Sequence, residues 1–366
     1  MNTTATLISL TLQHMGQHSG YDLLCPALQF EGGSYRSIWL DDQLYKKFLK
    51  VKIANCALRN FPNKTNFYRP KNFWAELEAC VKSFRSSKII HILYGENNLG
   101  IYAIPCVKCR KKLVVTIHQP LSWWKDHGLD IRKKFQSTDA LIVLSSAEKE
   151  NFGKILGNEK LHFIPHGIDT EFFSPPPPLQ LEKKLNSARK RCLFVGQWLR
   201  DFKTLFAVMD EILRKDDDIF FDLVVINLNI TALDIEKRLV EFERHPQVSR
   251  HQNLDDAALL DLYRNATLLF LPLEESTANN AVLEAMACGL PIVTNYTSGI
   301  LDYIDDTFAY IYSKNDSLSM IDAIYKIASD KELQRRMSKN ACEAACEKFT
   351  WSAVAGSVKK IYKKLS

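Results

Sequence analysis

At 366 residues the chain exceeds what one hydrophobic core usually serves, so two domains of roughly 150–200 residues are expected. It is 46% hydrophobic, 25% charged and 11% aromatic, which excludes a disordered chain and leaves an ordinary globular one. The net charge of +6 is uneven: residues 1–170 carry 23 Lys and Arg against 14 Asp and Glu, whereas residues 171–366 carry 25 against 28.

The opening stretch from Met1 has no basic segment, and Gln13 and His14 break its apolar run, so it does not read as a secretory signal. No run of about 18 apolar residues occurs, which argues against a membrane span. Nine cysteines, an odd number in a core-rich chain, favour free thiols in a reducing compartment, with the cytoplasm as the expected location. Asn63-Lys-Thr then means nothing as a glycosylation site.

Apolar and β-branched runs recur at 4–12, 89–94, 113–117, 140–144 and 161–164, as a parallel sheet covered on both faces requires. The turn after the first run holds Gly16 and Gly20, which would let backbone approach a diphosphate, although any strand-to-helix turn can use Gly. Between Lys46 and Trp74, eight Lys and Arg interleave with aromatic residues. That segment suits anionic lipid or nucleic acid, or equally a solvated face over a small core. No stacking motif for a nucleic acid accompanies it, so nucleic acid is not expected as a partner. His91, Tyr94 and Glu96 line a strand end, either on the acceptor side of a site or as ordinary loop polarity. Cys106-Val-Lys-Cys109 has zinc-ribbon spacing but no second pair, so no metal is expected there. His118 ends the strand 114–117 at the carboxyl edge, where open α/β sheets bind ligands; a lone His is also a common structural hydrogen bonder.

After Phe173 come Ser174, Pro175–Pro178 and a polar stretch to Lys190, which reads as a linker. The expected division is 1–173, a linker at 174–190, a second domain at 191–350 and a terminal helix at 351–366. A second series of strands is expected at 192–195, 221–226, 266–271, 292–294 and 308–311, alternating with helical stretches at 257–264 and 316–328. Two doubly wound α/β halves follow, their strand ends forming a cleft. Asp216-Asp-Asp218 precedes a strand instead of leaving one, so it reads as a solvated turn, not a metal site. Cys342 and Cys346 fall on one helical face and are expected to pack. Val354, Val358, Ile361, Tyr362 and Leu365 recur at helical spacing and close the chain with an amphipathic helix. No Gly-x-Gly-x-x-Gly follows a strand, which counts against a nicotinamide dehydrogenase.

The strongest signal lies at 265–295. A strand, Leu268-Leu-Phe-Leu271, runs into the polar turn Glu274-Glu-Ser-Thr-Ala-Asn-Asn280, then a helix, then Gly289-Leu-Pro and another strand. Ser276 and Thr277 are expected as N-caps, leaving the amides of Ala278, Asn279 and Asn280 to hold a diphosphate at the positive end of the helix dipole. Glu284, one to two turns in, is placed to accept hydrogen bonds from ribose hydroxyls. Ala285, Ala287 and Gly289 allow close packing behind the helix.

This block, with Ala140-Leu-Ile-Val-Leu-Ser-Ser146, Phe163-Ile-Pro-His-Gly-Ile-Asp-Thr-Glu-Phe-Phe-Ser-Pro175, Leu193-Phe-Val-Gly196 and Phe349-Thr-Trp351 in that order, resembles glycosyltransferase family 4 over nearly the whole chain. The resemblance implies the α/β GT-B fold: two Rossmann-like domains facing a central cleft, the terminal helix packing back on the N-terminal domain. It implies a retaining, metal-independent, hexosyltransferase-like enzyme with a nucleotide-sugar co-substrate and no other cofactor. The acceptor would be a glycan, a lipid-linked saccharide or a small molecule; for a lipid-linked one, the basic aromatic segment Lys46–Trp74 is expected to make peripheral contact with an anionic membrane surface. His118 matches the family's catalytic His, and Gly16, Gly20 and Gly196 match its donor-side glycines. Two positions depart from the family: Ser276 stands where the first of two glutamates eight residues apart is usual, and Gln197 and Phe202 stand where Arg and Lys usually meet the diphosphate. Arg200 and Lys203 are the nearest cations and are assigned that role, since negative charge builds on the leaving diphosphate. The alternatives are an epimerase or hydrolase of nucleotide sugars on the same scaffold, and a non-catalytic nucleotide-sugar binder.

Overall fold

The computed structural model describes residues 4–9, 16–30, 34–39, 52, 55, 65–83, 87–104, 111–226 and 233–366. Most of the basic aromatic segment, all of Cys106–Cys109 and residues 13–15 of the first turn lie outside the described residues. The chain divides into two compact units. The first comprises Met1–Met15, Gly20–Gly167 and Trp351–Ser366, and the second comprises Gly16–Ser19 and Ile168–Thr350.

The first unit is built on a six-stranded parallel sheet in the order β2-β1-β3-β4-β5-β6. Its strands are β1 (Thr4–Ser9), β2 (Ser34–Trp39), β3 (Ile89–Ile92), β4 (Lys112–Ile117), β5 (Ala140–Val143) and β6 (Leu161–Phe163). Every residue of β3 and β5 is buried, as continuous apolar runs between two helical layers should be. The unexpected strand is β2, Ser-Tyr-Arg-Ser-Ile-Trp, an edge strand that borders only β1 and has no apolar run to betray it. The terminal helix Trp351–Leu365 belongs to this unit, buries Trp351, Val354, Ala355, Val358, Ile361 and Tyr362, and packs on the helix Leu24–Phe30. The order turns at β1, so the switch point lies between β1 and β3.

The second unit carries another six-stranded parallel sheet, in the order β12-β11-β10-β7-β8-β9. Its strands are β7 (Lys190–Val195), β8 (Ile219–Val224), β9 (Val248–His251), β10 (Leu268–Leu271), β11 (Ile292–Asn295) and β12 (Ala309–Tyr312). The short edge strand β9, Val-Ser-Arg-His, was not expected, because only Val248 in it is fully buried. Its switch point falls between β7 and β10, where a doubly wound sheet leaves its ligand crevice. The polar stretch expected as linker contains the helix Pro178–Asn186, with Pro in its first turn and Leu185 buried as its anchor. Helices here start on aspartates: Asp201 accepts from Thr204 N at 3.0 Å and Asp255 from Ala258 N at 2.8 Å. Asp216 accepts from the backbone of Asp218 at 2.7 Å in the turn before β8. Cys346 is exposed and Cys342 half-buried, so that pair packs less than its helical spacing implied.

Candidate active site

Each unit gathers polar side chains at the carboxyl ends of its strands. In the second unit β7 ends at Val195, and Gly196 follows at φ +90°, a left-handed conformation that favours Gly. The space is needed too, since a Cβ there would stand 2.8 Å from the Arg200 guanidinium. Arg200 donates from Nε to Val195 O at 2.9 Å and from Nη1 to Trp198 O at 3.0 Å, with Nη2 at 3.4 Å from Asn279 Oδ1. Burial lowers its pKa to about 10, against the pull of Tyr263 and Glu284, so it stays charged at neutral pH. Lys203 is exposed in the first turn of the helix Phe202–Leu213, whereas Phe202 is core.

The turn after β10 is tied down from both sides. Asn295 at the end of β11 accepts from Leu273 N at 2.6 Å and donates to Leu273 O at 2.8 Å. Gly299 N donates to Ser276 O at 3.1 Å, and a Cβ on Gly299 would overlap that oxygen. Ser276, Thr277 and Asn279 are buried, and Ser276 and Thr277 do not take the N-cap expected of them. The helix runs Asn280–Ala287 with Asn279 at its N-cap, and its first bond joins Leu283 N to Asn279 O at 3.1 Å. The positive end of the dipole therefore sits at the N–H groups of Asn280, Ala281 and Val282, two residues later than expected. The helix packs on Lys331–Lys348, with Ala285 and Ala287 both buried, and Gly289 (φ +68°) leaves room for Ser338.

Three buried atoms at this edge have no hydrogen-bond partner: Gln197 Oε1, Ser276 Oγ and Thr297 Oγ1. They follow β7, β10 and β11, which are adjacent strands. Such orphans are costly in a native protein, so each calls for a partner, an ordered water or a polar ligand. Glu284, 4% exposed, accepts from Ser19 Oγ on Oε1 and from Tyr263 OH on Oε2, both at 2.6 Å. Burial pushes its carboxyl up, with the two hydroxyls and Arg200 opposing. Asn280 Nδ2 donates to Ser19 O at 2.7 Å. Gly16 has φ +65° and no space for a Cβ beside Asp256, which also accepts from Gln17 N at 2.8 Å. Ala278, in the turn before the helix, is half-buried.

In the first unit His118 follows β4. Its ring stacks on Tyr94 with centroids 4.6 Å apart and meets Tyr21 edge-on at 4.9 Å. Glu96, also buried, accepts from the backbone N–H groups of His118 and Gln119. Burial raises the Glu96 carboxyl, but His118 and these donors outweigh it and leave it below its ordinary value. His166 and Trp351 complete an aromatic cluster around Tyr21. Gly20 precedes Tyr21 at a negative φ, so it needs no left-handed freedom, though a Cβ there would overlap Asp22. His91 does not face an acceptor: it is fully buried, with Nδ1 at 2.6 Å from Tyr362 OH and Nε2 at 2.9 Å from Thr116 Oγ1. Its place mid-strand in β3 turns it inward, and burial lowers its pKa to about 3.

Ser19, Tyr263, Asn295 and Thr297 were not singled out from the sequence. Ser19 lies in the expected glycine turn, but nothing local marks Tyr263, whose role depends on a contact 21 residues away. Among the described residues no helix is long and apolar enough to cross a membrane.

Residues 30–172 match the family model described as Glycosyltransferase Family 4, and residues 180–344 match Glycosyl transferases group 1. The chain is 24% identical to D-inositol 3-phosphate glycosyltransferase of Xylanimonas cellulosilytica over 242 residues, 62% of this chain but only 57% of that protein. It is 22% identical to MMP alpha-(1->4)-mannosyltransferase of Mycolicibacterium hassiacum over 327 residues, 81% of this chain and 76% of that one. Its fold is similar to Anabaena HepE, solved in complex with UDP-glucose, with a TM-score of 0.73 at 12% identity over 99% of this chain and 100% of that one. Two matched models that together span most of the chain, and two doubly wound sheets, place the chain in glycosyltransferase family 4, with the GT-B fold.

Proposed function

We propose that this glycosyltransferase moves a hexose from a nucleoside-diphosphate sugar to an acceptor hydroxyl, with retention at the anomeric carbon and without a metal. The reading is supported by the orphan atoms Gln197 Oε1, Ser276 Oγ and Thr297 Oγ1, which follow the adjacent strands β7, β10 and β11, together with Arg200, which meets Asn279 at the helix N-cap. The second unit binds the donor. The N–H groups of Asn280, Ala281 and Val282 take the diphosphate with Arg200, and Lys203 adds charge from the exposed turn. Gly16 and Gly196 let backbone approach the ligand. Glu284 takes the ribose, since each of its oxygens has a lone pair left after Ser19 and Tyr263 are served. Ser276 with Thr277 lines the sugar end, where a hydroxyl replaces the carboxylate usual in the family. The first unit binds the acceptor and supplies His118. A lipid-linked acceptor at the cytoplasmic membrane face suits the basic first half.

HepE, solved with UDP-glucose, makes that nucleotide sugar the first donor to try. A thermal-shift series with uridine, guanosine and adenosine diphosphates and their sugar conjugates identifies the donor, because a specific ligand stabilises by the logarithm of its excess over Kd. Incubation of that donor with extracted lipids and simple saccharides should then give a product of unchanged anomeric configuration, read by NMR. Inversion sinks the retention claim. The departure at Ser276 favours one rival, a non-catalytic binder, which requires binding with no release of nucleotide under any acceptor.

A further inference from the structure

His118 and Glu96 sit on neighbouring strand ends, after β4 and β3, and are joined through both backbone and side chain. One carboxylate oxygen, Glu96 Oε1, accepts from the backbone N–H of His118 and from that of Gln119 at 2.8 Å. The other, Oε2, faces His118 Nδ1 at 3.4 Å. Glu96 is 4% exposed, and its own backbone is held: its carbonyl accepts from Thr65 Oγ1 at 2.5 Å. The preceding residue, Gly95, donates to Thr116 O at 2.8 Å and lies so close under β4 that a Cβ would come 2.8 Å from Val115 and Ile117. Backbone, carboxylate and ring are thus locked in one arrangement.

We propose that Glu96 is a positioning residue for His118, its carboxylate holding the ring proton on Nδ1 and so leaving Nε2 as a hydrogen-bond acceptor for a substrate hydroxyl. This rests on the reading of His118 as a site residue. A neutral imidazole has one donor and one acceptor nitrogen, and the partner of the first decides the role of the second. Other titratable groups around the ring do not compete for the proton. Tyr94 and Tyr21 keep theirs because burial pushes both phenols up, and burial keeps His166 neutral by lowering its pKa to about 3. Asp22 bears on Tyr94, and Lys134 on Glu96, through charge.

The test is the ring-nitrogen NMR spectrum of His118 in the full chain, assigned by its loss in His118→Ala. The neutral wild-type ring is expected to carry its proton on Nδ1. In Glu96→Gln the spectrum should shift towards a mixture of tautomers, and Glu96→Asp should restore part of the wild-type signal. With UDP-glucose turnover as readout, Glu96→Gln should lower kcat at least tenfold while KM for the donor changes less than twofold. A wild-type ring protonated on Nε2 overturns the proposal, and needs no variant to fold. So does a folded Glu96→Gln with unchanged tautomer and kcat. If His118→Ala keeps full activity, the reading of His118 as a site residue fails instead, while the tautomer spectrum still judges the pair.

Discussion

Burial decides how the two central carboxylates of the second and first units behave. Glu284 is buried yet doubly hydrogen-bonded, so it is pre-aimed before any ribose arrives. Hydrogen bonds to a charged group are worth about 1.5–3 kcal/mol each. Glu284→Ala should therefore weaken donor binding by roughly 10- to 100-fold by calorimetry, and unchanged affinity would put the ribose elsewhere. Glu76, outside the site, accepts from the backbone of Gly100 at 3.1 Å and of Ile101 at 2.6 Å in the first unit. Burial raises its carboxyl above the ordinary value despite those donors. A carboxyl raised on folding binds a proton more tightly in the native state. Its stabilising contribution is complete below the unfolded value near 4.5 and is lost as pH rises through the folded value. Denaturant midpoints of the wild type should thus fall relative to Glu76→Gln as pH rises above about 4.5. Parallel curves would mean that Glu76 is ionised without penalty.

At the scale of elements, the turn Pro272–Asn279 owes its shape to neighbours distant in sequence. Gly299 supports it from the loop after β11, and Asn295 pins its start. In Gly299→Ala the new methyl meets backbone oxygens of Ser276 and Thr277, which cannot rotate away. Overpacking of this kind costs about 1–3 kcal/mol, so the thermal midpoint should drop and donor affinity should fall with it. A variant that keeps both would show that the turn is slack. The same dependence explains what the sequence alone could reveal. Strands such as β3, β5 and β10 announce themselves because both faces are apolar, and the helix after Asn279 follows from its alanines. Edge strands β2 and β9 are half polar, and no period in Ser34–Trp39 or Val248–His251 separates them from loop. The sequence singled out Glu284 by its place one to two turns into a helix, and Arg200 as the cation nearest the positions where the family usually has Arg and Lys. Their partners Tyr263 and Asn279 were not paired with them, because a hydrogen bond across 79 residues, as from Arg200 to Asn279, leaves no local trace. His91 failed for the opposite reason: its strand-end appearance hid a mid-strand residue facing the core.

For the whole molecule, the informative feature is that the chain ends in the unit where it began. Trp351–Ser366 belongs with the first sheet, although the 183 residues before it, Ile168–Thr350, belong with the second. The helix is tied in by more than apolar contact. Tyr362 OH meets His91 Nδ1 at 2.6 Å in β3, and Trp351 fills the space that Gly167 leaves, since a Cβ there would come 2.6 Å from its ring. Fully burying each of Val354, Val358 and Ile361 contributes about 1.5–3 kcal/mol, and the two aromatic residues contribute more surface still. The sum approaches the whole net stability of a domain, about 5–15 kcal/mol. Deleting Trp351–Ser366 should therefore unfold the first unit while the second, which has its own continuous core, stays folded. Hydrogen exchange resolves the two: amides of β1, β3, β4 and β5 should lose protection in the truncated chain, and those of β7, β10 and β11 should keep it. Donor binding should survive the deletion and sugar transfer should not, because the donor residues lie in the unit that remains and His118 lies in the one that is lost. Retained protection across β3 and β4 would instead make the terminal helix an appendage, and would remove the argument that His91 and Tyr362 anchor it.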